Sequence, residues 1–268
     1  MGSKIFDCIT FFNENFITNL RFEVLKDEVD YFVICESIFD HKGNKKKINF
    51  NLKNNTYKNK IIHLIHDKPF HSKNNEWQNQ AEQREYIFNG LKLADEDDYI
   101  MFSDPDEIPN PITLRNLNLK KKFGIFLQNM YCYKFNIFNQ YESPWEGTRV
   151  CKKKNLKSID YMRQQIVLKN LKQPFWKIYK EKSIDIFNDG GWHFNSLLTP
   201  EEISLKLKTF AHIEYAKPEY SDVNIIKQNI QQKKDLFRRN LTYTAVELDN
   251  TFPKYILENK EELSSWIF

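Results

Sequence analysis

The sequence predicts an α/β fold in which helices flank a mainly parallel central sheet, with a helical C-terminal portion. Short runs of β-branched and aromatic residues alternate along the chain with segments of helical periodicity. The final third of the chain instead favours helices. No repeat, low-complexity tract or linker divides the 268 residues. We therefore expect a single domain over residues 1–268.

The first half of the chain alternates predicted strands with predicted helices. Four short apolar runs are strand-like: Ile5–Phe12, Tyr31–Cys35, Lys60–Ile65 and Asp98–Phe102. Phe16–Lys26 and Glu76–Leu93 place their apolar residues on one helical face. Strands separated by helices in this way are typical of parallel sheets.

The second half begins with a long strand-like segment and then becomes helical. Phe123–Phe138 has aromatic residues at alternate positions, which is typical of a strand. Pro200–Phe210 and Asp222–Phe237 have helical periodicity and follow the candidate N-cap residues Thr199 and Ser221.

Composition and charge narrow the class of protein. Hydrophobic residues make up 41% and charged residues 28% of the chain, which is ordinary for a globular protein. A net charge of +4 gives no reason to expect a nucleic-acid partner. The four cysteines lack CxxC spacing, so no zinc site or redox pair is predicted. Since no secretory signal or transmembrane segment is evident, we expect a soluble cytoplasmic protein.

An acidic motif follows the predicted strand Asp98–Phe102. Ligands of open α/β sheets bind outside the carboxyl ends of the strands, where Asp104 and Asp106 would lie. Pro105 biases the backbone away from helix, so that both carboxylates can face one point. Such oxygen ligands suit Mg²⁺ or Mn²⁺ shared with a diphosphate. An ordinary Asx turn is the alternative.

The motif Ser103–Pro109 resembles the Ser-Asp-x-Asp-Glu-Ile-Pro signature of glycosyltransferase family 17, which contains enzymes like the β-1,4-mannosyl-glycoprotein β-1,4-N-acetylglucosaminyltransferase. Further segments resemble the family in the same order: Asp7–Glu14 with Asp30–Ser37, Gln83–Leu91, and Gly190–Phe194 with Phe210–Glu214. The resemblance covers about residues 4–215.

This resemblance implies a GT-A fold and an inverting, metal-dependent transfer of a sugar to a glycan acceptor. The donor would be a nucleotide sugar, UDP-GlcNAc in the characterised animal enzymes. The nucleotide-sugar-binding half would span about residues 4–125, the acceptor and catalytic half about 126–215, and a helical extension about 216–268. Animal members carry a membrane anchor and a stem that are not recognised here, so a microbial or viral glycan is an alternative to an N-glycan acceptor.

The motif and the resemblance together indicate the ligand-binding residues. Asp104 and Asp106 are expected to bind Mn²⁺ or Mg²⁺. His193 would be a third ligand, unless it is a structural histidine beside Trp192. We expect six residues to contact the donor: Phe11, Asn13, Glu36, Asp104, Gly191 and Trp192.

Two of the expected roles near the site, those of Glu36 and Glu107, have structural alternatives. Glu36 ends a predicted strand, where it would bind the nucleoside or cap a loop. Gly190 and Gly191 would let the backbone approach a phosphate or a sugar. Glu107 would orient the two aspartates or be an ordinary loop charge.

An inverting transfer also needs a general base within hydrogen-bond reach of the acceptor hydroxyl. Asp189 and Glu214 are the candidates, because they lie in family-like segments away from the metal motif. Arg149, Arg163 and Lys206 would offset diphosphate charge or form surface ion pairs.

Two other classes of protein fit parts of the pattern. A metal-dependent nucleotidyltransferase or phosphohydrolase would also use acidic ligands, but no Walker-type phosphate loop is present in the sequence. A non-catalytic homologue would bind glycans through aromatic grooves. The joint presence of Asp104, Asp106 and His193 favours an enzyme.

Overall fold

The computed structural model describes residues 2–209 and 215–268, except for the side chain of Asn55. In this part of the chain, eleven strands form one sheet. In chain order the strands are β1 (Ile5–Phe11), β2 (Tyr31–Ser37), β3 (Ile61–His66), β4 (Tyr99–Ser103), β5 (Glu107–Pro109), β6 (Phe123–Cys132), β7 (Ile137–Phe138), β8 (Trp145–Lys152), β9 (Ile184–Phe187), β10 (Gly191–Asn195) and β11 (Thr244–Ala245).

The helices surround this sheet and are mostly short. The α-helices are α1 (Asn15–Leu25), α2 (Glu76–Glu85), α3 (Pro111–Arg115), α4 (Ile159–Gln165), α5 (Pro200–Thr209), α6 (Pro218–Ser221), α7 (Val223–Gln231) and α8 (Lys254–Glu258). The predicted α/β class is therefore confirmed, and α5 begins after Thr199 as predicted. The hydroxyl of Thr199 accepts a hydrogen bond from the amide of Glu202 at 3.3 Å, as an N-cap residue does.

The sheet is parallel at one end and mixed at the other. Strands β3, β2, β1 and β4 lie side by side and run parallel, in agreement with the predicted βαβ pattern. Strand β8 then runs antiparallel between β4 and β6. Strand β10 pairs parallel with β6 and antiparallel with β5. Strands from both predicted halves of the domain thus share one sheet.

The core lies on both faces of the sheet, because successive strand residues point to opposite sides. On β1, Ile5 and Ile9 pack in the cluster that contains apolar residues of α1 and α8. Phe6 and Cys8 pack in the second cluster, with Ile87 and apolar residues of α4. Burial on both faces explains why β1, β2 and β4 are mostly apolar.

Several predicted boundaries differ from the structure. The predicted helix Glu76–Leu93 is α-helical only to Glu85 and continues as a 3₁₀ turn to Gly90. The predicted strand Phe123–Phe138 is interrupted at Tyr133, whose φ is 68°. The predicted helix Asp222–Phe237 ends at Gln231, and Lys233 has a φ of 54°. A positive φ is incompatible with continuing a strand or a right-handed helix.

The C-terminal region is less helical than expected, since α7 is followed by loops, the short β11 and the five-residue α8. The N-cap of α7 is Asp222, which accepts hydrogen bonds from the amides of Asn224 and Ile225, and not Ser221. Within residues 2–209 and 215–268, no helix is long and apolar enough to cross a membrane. The four cysteines are buried and unbridged, as expected of small core residues.

Candidate active site

The carboxyl ends of β1 and β4 form the place where a ligand is expected. From β1 the chain builds β2 and β3 on one side, then returns to place β4 on the other side of β1. Ligands of open α/β sheets bind at such a switch point. A cavity of about 480 Å³ opens there, and its described lining includes Phe11 and Phe12 at the end of β1 and Asp104 and Asp106 after β4.

Asp106 and His193 meet in this cavity through backbone pairing. His193 lies opposite Glu107 in the antiparallel β5–β10 pair, and the amide of Phe194 donates to the carbonyl of Asp106 at 2.8 Å. Nε2 of His193 is therefore 3.5 Å from Oδ1 of Asp106. Nζ of Lys206, on α5, is 3.8 Å from Oδ2 of Asp106. The predicted association of Asp106 and His193 is thus present in the structure.

The electrostatics of this pair follow from its surroundings. Burial raises the pKa of Asp106, but His193 and Lys206 outweigh it and hold that pKa well below its usual range. Burial lowers the pKa of His193, but the Asp106 carboxylate outweighs it and raises that pKa above its usual value. Asp106 is therefore ionised at neutral pH.

The donor atoms of this pair suit a divalent cation. The carboxylate oxygens of Asp106 lie 3.5 and 3.8 Å from nitrogen atoms of His193 and Lys206, longer than ordinary charge-assisted hydrogen bonds. Nδ1 of His193 is buried and has no hydrogen-bond partner among the described residues. A carboxylate oxygen and an imidazole nitrogen are both common metal ligands, and together they fit Mn²⁺.

Asp104 points to a different set of partners. Nη2 of Arg163 donates to Oδ2 of Asp104 at 2.5 Å, and Nη2 of Arg84 is 3.9 Å from Oδ1. Burial raises the pKa of Asp104, but the two guanidinium groups outweigh this effect and hold that pKa below its usual value. Among the described residues, no three His, Cys, Asp or Glu side chains are grouped as metal ligands. The structure therefore brings together Asp106 and His193, whereas Asp104 contacts Arg163 and Arg84.

Glu107 holds the acidic motif in place through hydrogen bonds. Its buried carboxylate accepts hydrogen bonds from the Asp104 amide at 3.1 Å, from Nε1 of Trp145 at 2.7 Å and from Nη2 of Arg163 at 2.9 Å. The ring of Trp145 also packs 5.2 Å from the ring of His193. Glu107 thus orients the turn that carries Asp104, in agreement with the first of its two predicted roles.

A second polar cavity, of about 600 Å³, lies on the other side of Asp104 and is lined by Arg84, Arg149, Arg163 and Lys169 among others. Arg163 binds Asp104 and Glu107. Arg149 donates from Nε to the carbonyl of Ile166 at 2.8 Å and so supports a loop. Of the three predicted cationic candidates, Arg163 and Lys206 therefore lie at the carboxylates of the motif.

The predicted donor residues near the N-terminus have different surroundings. Phe11 lines the cavity at the switch point. Asn13 is outside its described lining, and its amide donates to the carboxylate of Glu14 at 3.0 Å. Glu36 is fully buried and accepts hydrogen bonds from Lys46 at 2.8 Å and from the Asn49 amide at 2.6 Å. These contacts of Glu36 agree with the alternative of a loop cap.

Strand β10 separates His193 from its predicted neighbours. Trp192 points to the opposite face, where its Nε1 donates to the carbonyl of Thr251 at 3.0 Å. Gly191 has a φ of +112°, and a Cβ there would lie 2.3 Å from the carbonyl oxygen of Ile108. The need for glycine is thus explained by the close approach of β5 and does not require a ligand.

Of the two candidate bases, Asp189 lies away from Asp106 and His193. Asp189 is exposed and, with Gly191 and Trp192, lines another cavity of about 1020 Å³. Glu214, with the family-like segment 210–214, lies outside the described residues.

Glu142 is a cavity carboxylate that the sequence patterns did not single out. It lines the cavity of Asp106 and His193. Its Oε2 accepts from Nδ2 of Asn139 at 2.8 Å, and its Oε1 is 2.9 Å from Nη1 of Arg239. Glu142 belongs to the loop between β7 and β8, which has no motif or periodicity to mark it.

Solved structures with a similar arrangement are distant. The 4-diphosphocytidyl-2C-methyl-D-erythritol synthase aligns with a TM-score of 0.39 and 12% identity, covering 70% of this chain and 90% of that one. The glucosyl-3-phosphoglycerate synthase of Mycobacterium tuberculosis, in complex with Mn²⁺, UDP-glucose and phosphoglyceric acid, aligns with a TM-score of 0.38 and 10% identity, covering 96% and 91%. Scores this low are no basis for assigning a ligand.

A family profile matches this chain, although individual proteins do not identify it. No curated protein matches the chain significantly. The profile of glycosyltransferase family 17 matches residues 1–248, which is nearly the whole chain. The match contains the acidic motif, the β10 histidine and the strands that form the cavity. The chain is therefore a glycosyltransferase that belongs to family 17.

Proposed function

We propose that this enzyme is metal-dependent and transfers N-acetylglucosamine from UDP-GlcNAc to a glycan acceptor, with inversion at the anomeric carbon. The observation that carries the proposal is the convergence of Asp106 and His193 in the cavity at the β1–β4 switch point. The donor sugar and the inversion are carried over from the family resemblance.

Asp106 and His193 would hold a divalent cation, Mn²⁺ or Mg²⁺. A bound cation neutralises the charge that develops on a departing nucleoside diphosphate. A site with one nitrogen and one oxygen ligand favours Mn²⁺ over Mg²⁺, which prefers oxygen ligands. The diphosphate of the donor would bind the same cation.

Cationic side chains beside these ligands would bind the diphosphate. Lys206 lies 3.8 Å from Asp106, on the cavity wall. Arg163 and Arg84 are held at the opposite side by Asp104. Because a guanidinium group binds phosphate oxygens in a planar, two-pronged geometry, the role proposed for Asp104 is to position this arginine pair. In this proposal Asp104 acts on the donor through the arginines, and Asp106 and His193 hold the metal.

The general base is proposed to be Glu142. Away from the metal motif, the described carboxylates of the cavity lining are Glu14 and Glu142. Both backbone amides of Phe12 and Asn13 donate to Glu14 at 3.0 Å, so Glu14 is engaged in a turn. Glu142 is held at the cavity wall by Asn139 and Arg239 and keeps further lone pairs for an acceptor hydroxyl. Glu214 stays a second candidate.

We expect Glu142→Gln to lower the rate of sugar transfer by about 10²–10⁴-fold, the usual contribution of a general base, with little change in donor affinity. Asp189→Asn is the matched control, because Asp189 lines the separate cavity. UDP release in the presence of an acceptor glycan measures transfer, and calorimetry measures donor binding. A large loss of transfer in Asp189→Asn alone would contradict this choice of base and favour the base predicted from sequence.

The proposed function as a whole is tested by titrating UDP-GlcNAc, UDP-glucose and UDP into the protein, with and without Mn²⁺. We expect binding only with the metal, the strongest with UDP-GlcNAc, and UDP release when an acceptor is added. Donor binding that is the same in a chelator would refute the metal dependence. Release of pyrophosphate from a nucleoside triphosphate and a sugar phosphate would instead indicate a nucleotidyltransferase, and glycan binding with no turnover would indicate a non-catalytic protein.

A further inference from the structure

A loop between α4 and β9 exposes a cluster of large apolar side chains. Phe175, Trp176, Ile178 and Tyr179 are 84%, 67%, 90% and 69% exposed. Isolated exposed apolar residues are common on protein surfaces, but four within five consecutive positions form a patch that usually marks an interaction site. We call residues 171–180 the aromatic loop.

The aromatic loop has a defined backbone that holds these side chains outward. The amide of Lys177 donates to the carbonyl of Pro174 at 3.1 Å, and the amide of Lys180 donates to the carbonyl of Lys177 at 3.0 Å. Nζ of Lys182 also donates to the carbonyl of Pro174 at 2.6 Å. Phe175 and Trp176 pack edge to face with ring centroids 5.2 Å apart. Two successive turns therefore present the apolar groups without burying them.

Lysines surround the patch. They lie within or beside the aromatic loop and in the turn before β6: Lys120, Lys121, Lys122, Lys169, Lys172, Lys177, Lys180 and Lys182. The turn before β6 is adjacent because the amide of Lys122 donates to Oγ of Ser183 at 3.1 Å. The carboxylates in these stretches are Glu181, whose Oε2 is 3.9 Å from Nζ of Lys122, and Asp185, so eight lysines face two acidic residues. The surface is therefore both apolar and strongly basic.

We propose that the aromatic loop docks the enzyme on an anionic lipid bilayer. Aromatic side chains settle at the boundary between headgroups and acyl chains, and lysines beside them attract anionic headgroups. A protein partner or a second copy of the chain fits less well, because lysine is depleted in the cores of protein interfaces. Both the positive charge and the apolar side chains of this surface therefore favour an anionic bilayer as the partner.

Docking through the aromatic loop would bring the arginine-rich cavity beside Asp104 close to the lipid surface. Lys169, just before the aromatic loop, lines the arginine-rich cavity beside Asp104. A docked enzyme holds that cavity near the headgroups, where glycans carried on lipids are found. This last step rests on the proposed function, whereas the docking itself does not.

Co-sedimentation with phosphatidylcholine vesicles, with and without phosphatidylglycerol, tests the proposal. We expect binding to the anionic vesicles only, weakening as salt is added. The double variant Phe175→Ser, Trp176→Ser should lower the partition coefficient about tenfold or more, since two inserted rings are lost. Leu93→Ser, Ile112→Ser is the matched control, because these side chains are 55% and 67% exposed elsewhere on the surface.

A charge series tests the basic part separately. Lys177→Glu, Lys180→Glu should weaken binding to anionic vesicles, whereas Lys45→Glu, Lys47→Glu, with the same change of net charge, should not. Vesicle binding that is absent, or equal in the aromatic-loop variant, would overturn the proposal. Self-association that the aromatic-loop variant abolishes, measured by sedimentation velocity, would overturn it in favour of a second copy. Donor binding in solution should be unchanged in all these variants, so a failure here is distinguishable from a failure of the proposed function.

Discussion

Asp106→Asn is expected to abolish metal-dependent binding of the nucleotide sugar and to lower turnover at least about 100-fold. The substitution keeps the size of the side chain but removes the charge that faces His193 and Lys206. A neutral amide is a poor ligand for Mn²⁺, so a cation would no longer offset the charge of the diphosphate. Calorimetry with UDP-GlcNAc and Mn²⁺, together with UDP release, measures both effects.

Two other aspartates provide controls for this experiment. Asp97→Asn alters an exposed carboxylate that pairs with Lys152 and Lys154, so it should leave donor binding and turnover unchanged. Asp104→Asn should weaken donor binding by releasing Arg163, but what binding remains should still require metal. Wild-type turnover in Asp106→Asn, with an intact fold by circular dichroism, would refute the proposed metal site.

Asp7→Asn is expected to destabilise the fold by about 3–5 kcal/mol, the usual effect of removing one partner of a buried ion pair. The guanidinium of Arg21 is fully buried and donates two hydrogen bonds to Asp7, at 2.5 and 2.6 Å. The same group donates to Oγ of Ser103 at 2.9 Å and to the carbonyl of Glu107 at 2.5 Å. Without Asp7 the positive charge remains buried and lacks a counterion.

Urea denaturation measures this effect as a lower transition midpoint at an unchanged slope. Asp97→Asn, at the surface, should hardly move the midpoint. In the double variant Asp7→Leu, Arg21→Met part of the stability should return, because an apolar pair can replace a buried ion pair. A midpoint for Asp7→Asn equal to that of the surface control would show that Arg21 does not depend on its counterion.

Periodicity predicted the parallel part of the fold because those strands are apolar on both faces. It gave no strand at β8, where Thr148 and Arg149 are buried polar residues. Their burial depends on distant partners: Oγ1 of Thr148 lies 2.7 Å from Oγ of Ser103, and Arg149 binds the carbonyl of Ile166. Such partners come from other parts of the sequence, so no local pattern reveals them.

The part of the candidate site that lies in recognisable sequence motifs could be predicted. Asp106 and His193 were found in this way, and the structure brings them together. The arginine partner of Asp104 was not assigned as such, because Arg163 reaches it from the distant α4. Alternation along a strand places Trp192 and His193 on opposite faces, so this pattern alone indicates that the two do not line one cavity.

The pairing of β10 with β5 has a consequence for the energetics of catalysis. Backbone hydrogen bonds between the segments that carry them hold His193 beside Asp106. The conformational entropy of bringing together two residues distant in the chain is therefore lost during folding and does not lower the affinity for the donor. The two side chains are preorganised, so the fold should be equally stable with and without the proposed metal, and each catalytic cycle should begin with Asp106 and His193 already in place.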